Sequence, residues 1–167
     1  MTTVIPGTTT STAAAGQSEL SRILQEGYGR GAWHGPDLAG AISDVAPDTA
    51  VRRPAPGVHN IAEVALHHAW FVRSVTAQLT GRTPAAFPVE GQDWFEVDEA
   101  TGPSWEEVQT TVASQHEDLA QAVTDIANRR ITSPLAESER FGLVLGITCH
   151  AVYHAGQIQL LKRLLAR

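Results

Sequence analysis

His150 and His154 stand four residues apart in "CHAVYHAGQI", residues 149–158, within an otherwise apolar run. Residues i and i+4 share one helix face, with Cβ atoms about 5–6 Å apart. Two imidazoles so placed can reach one metal ion, as on the two-histidine helix of metalloproteases. Spacing alone is a weak signal, because a lone core histidine is usually just hydrogen-bonded. Register adds weight. Both residues fall on the stripe Leu143, Ile147, His150, His154, Ile158, Leu161 and Leu165, where an imidazole is costly to bury without a partner. A third ligand must come from another helix, and "EVALHHAWF" supplies His67 and His68. These lie about 100° apart on a helix and cannot face one point equally. His68 is nearer the centre of its apolar stripe and His67 shares a face with Glu63. Periodicity leans to His68 and leaves the choice open. Three histidines with one free position make an open catalytic site, where an ion lowers the pKa of water toward about 7 or polarises a substrate oxygen or sulfur.

Neighbouring residues carry two readings each. Tyr153 orients a ligand or, more plainly, packs within its helix. Gly156 costs about 1 kcal/mol in mid-helix against alanine, which close helix approach would explain. Gln157 is a hydrogen-bonding partner for the pair. Glu63, one turn before His67, is a base or ligand-orienting group, with helix capping the plainer role. His34 in "WHGP" sits at a helix break and can face the metal cavity. Trp33 and Trp94 line a pocket mouth or simply pack. His59 and His116 read as surface or interface, Arg52 and Arg53 as a solvated loop pair, and Cys149 as a small core thiol.

The elements that must position these groups are helical. Leu20, Ile23 and Leu24, then Leu38, Ala41, Ile42 and Val45, form two pieces of one broken helix over 18–46, interrupted by "GYGRGAWHGPDL". A loop, "PDTAVRRPAPGVH", follows. "NIAE" starts the second helix with Asn60 as N-cap and Glu63 at the third position, and Gly81 stops it. Residues 82–103 hold three prolines and two glycines and no period. A connection this long is often functional and can run the length of a bundle. Helix 3 opens with the capping box of "SWEE", Ser104 to Glu107, and ends near Arg130. Helix 4 runs from about Glu139 to the C-terminus, with Lys162, Arg163 and Arg167 at its negative end. No strand is expected, so the fold class is all-α, a four-helix bundle. Residues 1–16 read as a flexible tail and 17–167 as one domain.

Bulk composition excludes several classes. Net charge is −6, from 12 Lys+Arg against 18 Asp+Glu, which opposes nucleic acid or anionic membrane as a partner. One cysteine rules out an intramolecular disulfide and fits the cytoplasm. No apolar run reaches the roughly 20 residues of a membrane span. No Glu-x-x-His, CxxC, GxSxG or phosphate loop is present.

"HAVYHAGQI", His150 to Ile158, resembles the helix-4 signature of the DinB/YfiT-like family of bacterial metal-binding proteins. Glu63 to His67 in "NIAEVALHH" is similar to its helix-2 signature, and "GAWHGPDL" and "QDW" to segments of one subgroup. The resemblance runs from about 18 to 167. It implies an up-down-down-up bundle, with the long crossover between helices 2 and 3. It also implies a zinc- or nickel-type ion on His67, His150 and His154, with His68 as the alternative to His67. The family's damage-inducible label implies no DNA contact. Several relatives are thiol-dependent transferases or isomerases, or amide hydrolases. The expected function is therefore a metal-dependent transferase or hydrolase on a small molecule, with a low-molecular-weight thiol as cosubstrate. The alternative is a metal-binding stress or accessory protein without turnover. In either case the expected assembly is a homodimer.

Overall fold

A computed structural model describes residues 18–29 and 32–166; the expected tail, 1–16, lies outside them. Six helices make up the described residues: α1 Glu19–Gly27, α2 Leu38–Ser43, α3 Pro47–Val51, α4 Ile61–Thr80, α5 Trp105–Ala127 and α6 Glu137–Leu165. No strand occurs among the described residues. The fold is all-α, with one isolated bridge between Gln92 and Trp94.

Local chemistry sets the helix ends. Ser18 caps α1 by accepting from Ser21 N–H, and Asp37 caps α2 by accepting from Gly40 N–H. Reciprocal capping boxes start α4 at Asn60/Glu63 and α5 at Ser104/Glu107. Gly81 ends α4 at φ 67°, a left-handed position that a side chain enters only with strain. The expected broken helix over 18–46 is α1 and α2. Part of the expected loop after it is the short helix α3, which Pro47 starts at its first turn. α5 ends at Ala127, three residues before the expected Arg130, because Arg129 turns the chain at φ 57°.

α4 packs on α5 and α6, and α1 lies against α6 and α5. Gly27 permits the α1–α6 approach: a Cβ there would sit 2.9 Å from Ala151 Cβ and 3.0 Å from the Thr148 carbonyl. The 82–103 crossover runs back along α4. Arg73 donates to the Ala85 carbonyl, His67 meets Asp93, and Asn60 Nδ2 donates to the Val97 carbonyl at 2.7 Å. α5 therefore begins beside the start of α4.

The core falls into two apolar clusters. One gathers Leu38, Ile61, Leu66, Val112, Ala151 and Ile158; the other gathers Leu24, Val72, Leu119, Val144 and Ile147. His116 on α5 and His150 on α6 fall between them, while His67 and His68 lie on α4 near the end of the first cluster, one turn before Val72 of the second. A layer of imidazoles thus crosses the bundle between two greasy halves.

Glu63 is fully buried and knits one end together. Its carboxylate accepts from Asn60 N–H, from Val97 N–H at 3.2 Å, from His59 Nδ1 at 2.9 Å and from Arg53. Glu63→Ala strands two buried N–H groups, each costing about 1–3 kcal/mol. Urea unfolding is expected to show a loss of about 3 kcal/mol; a loss under about 1 kcal/mol contradicts this role.

Candidate metal centre

α4 and α6 bring three histidines together. One ring nitrogen from each of His67, His150 and His154 lies within 4.8 Å of the other two. His150 and His154 come from the i, i+4 pair on α6, and their Nε2 atoms are 3.1 Å apart. His67 comes from α4, with ring centroids 5.2 Å from His150 and 4.9 Å from His154.

Each Nδ1 of the three is already engaged. His67 Nδ1 meets the Asp93 carbonyl at 3.0 Å and its carboxylate at 2.9 Å. His154 Nδ1 meets Gln157 Oε1 at 2.6 Å, and Gln157 Nε2 donates to Tyr153 OH at 3.0 Å. His150 Nδ1 meets His68 Nδ1 at 2.9 Å, and His68 Nε2 meets His116 Nε2 at 2.8 Å. Two assignments of protons fit these contacts. In the first, His116 donates to His68, His68 to His150, and His150 Nε2 to His154 Nε2 at 3.1 Å, a relay that needs no ion. In the second, each of the three donates from Nδ1, and His68 accepts from His150 and donates on to His116. All three Nε2 atoms then carry lone pairs, and those of His150 and His154 face one another at 3.1 Å with room for a cation between them. The spacing is close to the roughly 3.3 Å edge of a tetrahedral site with zinc–nitrogen bonds of about 2.0 Å. The donor set therefore fits a divalent metal ion.

Burial favours the neutral imidazoles that ligation needs. It pushes His150 down to about 4, helped by the nearby His154 and His67. It pushes His154 to about 4 as well, against the opposing bond from Gln157. Burial takes His116 to about 3 and holds His68 well below its ordinary value, with His116 and His150 adding to the effect.

The crossover shapes the mouth. Asp93, at φ 64°, turns its carbonyl and carboxylate onto His67. Trp94 stacks between His67 at 3.9 Å and His59 at 3.8 Å. Phe71 lies 5.0 Å from His67 and 5.1 Å from His150. Trp94 and Phe71 are each 37% exposed. A cavity of about 690 Å³ lies elsewhere, between Leu79, Val123, Ile126 and Phe141, and touches none of these histidines.

Several sequence expectations change. His68, favoured by periodicity, lies outside the three-histidine group with both ring nitrogens spent. His34 is exposed and bonded to the Glu26 carbonyl at 2.8 Å, away from the group. Trp33 is 89% exposed. Glu63 is spent on the capping network. His116, expected at the surface, is buried, bonded to His68 and stacked on Tyr28 at 3.8 Å. Cys149, expected in the core, is exposed, because it points to the opposite side of α6 from Ile147 and Ala151. Tyr153, expected to pack, is 63% exposed. Gly156 makes no close helix contact, since a Cβ there would meet nothing within 4 Å. His59 is half-buried, Arg53 pairs with Glu63, and Arg52 donates to the Leu165 carbonyl. Sequence reasoning gave Asp93 no role. His116 was detectable in the sequence: it falls at i+4 from Val112 and i−3 from Leu119 on the inner stripe of α5.

No helix among the described residues is long and apolar enough to cross a membrane. No curated protein and no solved structure matches the chain. The family model described as the DinB superfamily matches residues 32–158, a span that takes in all three histidines. The chain belongs to the DinB superfamily.

Proposed function

We propose that His67, His150 and His154 hold a zinc- or nickel-type ion, and that the protein is a metal-dependent enzyme acting on a small molecule. The reaction class is transfer to or from a low-molecular-weight thiol, or hydrolysis. One observation supports this reading: a ring nitrogen of each of the three histidines converges on one place while each Nδ1 has a separate partner. Such partners fix tautomer and ring orientation in metal sites. The bound ion supplies Lewis acidity, which lowers the pKa of a thiol or a water.

The remaining roles belong to this chain's own side chains. Asp93, His68 and Gln157 orient the ligands. Trp94 and Phe71 wall the mouth and shed water from it. Tyr153 accepts from Gln157, so its own proton is available to a substrate oxygen. His68 has no nitrogen to spare and His34 faces away. Three donors then leave a coordination position for substrate, as catalytic sites require. The arrangement of the chain in this proposal is an up-down-down-up bundle. It is supported by the crossover returning along α4 and by α1 and α2 lying along α6. The exposed, unpaired Cys149 suits a reducing cytoplasm.

Elemental analysis of the purified protein is expected to give one ion per chain. Zinc or nickel at 100 times the dissociation constant is expected to stabilise the fold by about 2.7 kcal/mol. A cobalt-loaded sample is expected to change its visible spectrum when a small thiol is added. Absence of both metal and stabilisation overturns the site. A bound ion whose spectrum ignores thiols overturns the thiol chemistry and leaves hydrolysis or an accessory role.

A further inference from the structure

His116 is a buried histidine, 3% exposed, that the proposed chemistry leaves unused. Its Nε2 meets His68 Nε2 at 2.8 Å, and Tyr28 lies flat on one face of the ring at 3.8 Å. Nδ1, on the other side of the ring, makes no hydrogen bond among the described residues and keeps some accessible surface. A cavity of about 360 Å³ between α1 and α5 opens there, with Leu24, Tyr28, His116, Glu117 and Ala120 in its wall. Small-molecule sites run from about 300 to 1,000 Å³. None of the three grouped histidines borders this cavity.

The two proton assignments differ at that free nitrogen. With the relay running toward His154, His116 Nδ1 bears a lone pair and His150 Nε2 bears a proton, so His150 Nε2 has no lone pair for an ion. With the protons reversed, His116 Nδ1 bears the proton and His150 Nε2 the lone pair. Passing from the first to the second moves one proton in sum, off His150 Nε2 and onto His116 Nδ1, and every ring stays neutral. Which nitrogen of an imidazole carries its proton is set by the bond that the other makes. Water at His116 Nδ1 suits both states, because it donates and accepts. A carbonyl oxygen only accepts and suits the second state alone.

We propose that this cavity binds a small uncharged molecule through a carbonyl oxygen that accepts from His116 Nδ1–H, and that its binding raises metal affinity at His67, His150 and His154. The second half rests on the metal reading above. The wall selects the ligand class. It holds the acid Glu117 and no Lys or Arg, so a carboxylate or phosphate meets repulsion without a counter-ion. Leu24, Ala120 and the Tyr28 ring suit an apolar or aromatic body. The coupling is reciprocal, so a bound ion tightens the carbonyl ligand by the same factor.

Benzamide is the probe. In metal-free protein carrying isotope-labelled histidine, it is expected to bind with a dissociation constant of about 1 mM or tighter. Nitrogen NMR is expected to show the proton settling on His116 Nδ1 and leaving His150 Nε2. With zinc present, saturating benzamide is expected to tighten the ion at least ~5-fold. Toluene, which has the ring and no carbonyl, is expected to leave zinc affinity unchanged. Ala120→Phe fills the cavity from an exposed position and is expected to abolish the benzamide effect on zinc, with unchanged helical circular dichroism. Benzamide that does not bind, or that binds Ala120→Phe as well as wild type, overturns the cavity site. Benzamide that binds without moving the histidine protons overturns the coupling. Proton movement in a protein that binds no zinc upholds the cavity site and overturns the metal reading instead.

Discussion

His154→Ala is expected to abolish metal binding while leaving the helices in place. The reason lies in the difference between holding an ion and orienting its holder. His154 supplies one of three converging nitrogens, so its loss leaves two donors, too few to compete with water for a divalent ion. Asp93 supplies no donor; it fixes His67 from the Nδ1 side. Asp93→Ala is therefore expected to weaken binding by about 10–100-fold, the usual cost of an orienting partner, and His154→Ala by clearly more. Competition against a chromogenic chelator measures both, and circular dichroism checks that the helices persist. Full stoichiometry and unchanged affinity in His154→Ala would falsify the ligand assignment. Equal losses in the two variants would contradict the division of roles.

Acid is expected to unfold the metal-free protein well before its carboxylates titrate. In the unfolded chain every histidine protonates near 6.5. In the fold, burial takes His116 down to about 3 and holds His68 well below its ordinary value. Between those limits the unfolded chain binds more protons than the folded one, so falling pH favours unfolding. The stability is intact above about 6.5 and drains away as pH drops toward the folded values. A neutral buried histidine costs up to about 1.4 kcal/mol per pH unit, so His116 alone costs about 1.6 kcal/mol between pH 6.5 and 5, and His68 adds to the loss in the same direction. Against a typical 5–15 kcal/mol stability that is a measurable loss. Half-buried His150 and its neighbour His154 add to the slope in the same direction, by a smaller amount where water screens them. Urea midpoints at pH 7 and pH 5 test this. His116→Gln should flatten part of the difference, since it removes one of the groups that must stay neutral. Equal midpoints at the two pH values in the wild type would show that the imidazole layer protonates freely inside the fold.

The sequence by itself determined the helices and much of their chemistry. Asn60 with Glu63, and Ser104 with Glu107, specify helix starts because a side chain one turn away is the nearest partner for an unpaired N–H. Gly81 specifies a stop by its freedom at positive φ. His150 and His154 share a face because the helical period places i and i+4 together, whatever surrounds them. These are local rules, and the chain obeys them locally.

Periodicity left open which histidine of the doubled pair joins them; the family resemblance pointed to His67, and the tertiary structure groups His67 with His150 and His154. Residues 60–69 are buried without a break, so α4 shows no amphipathic contrast there and periodicity has nothing to read. The contrast is erased by residues nearly thirty positions away in sequence: Asp93 and Trp94 fold back over His67 and cover what would have been the outward face of α4. The same remoteness hid His116, whose partner His68 sits on a different helix, and misplaced Cys149, whose side of α6 is apolar yet open. Burial is set by what arrives from elsewhere in the chain. A one-dimensional pattern records which residues would tolerate cover, and only the folded arrangement supplies it.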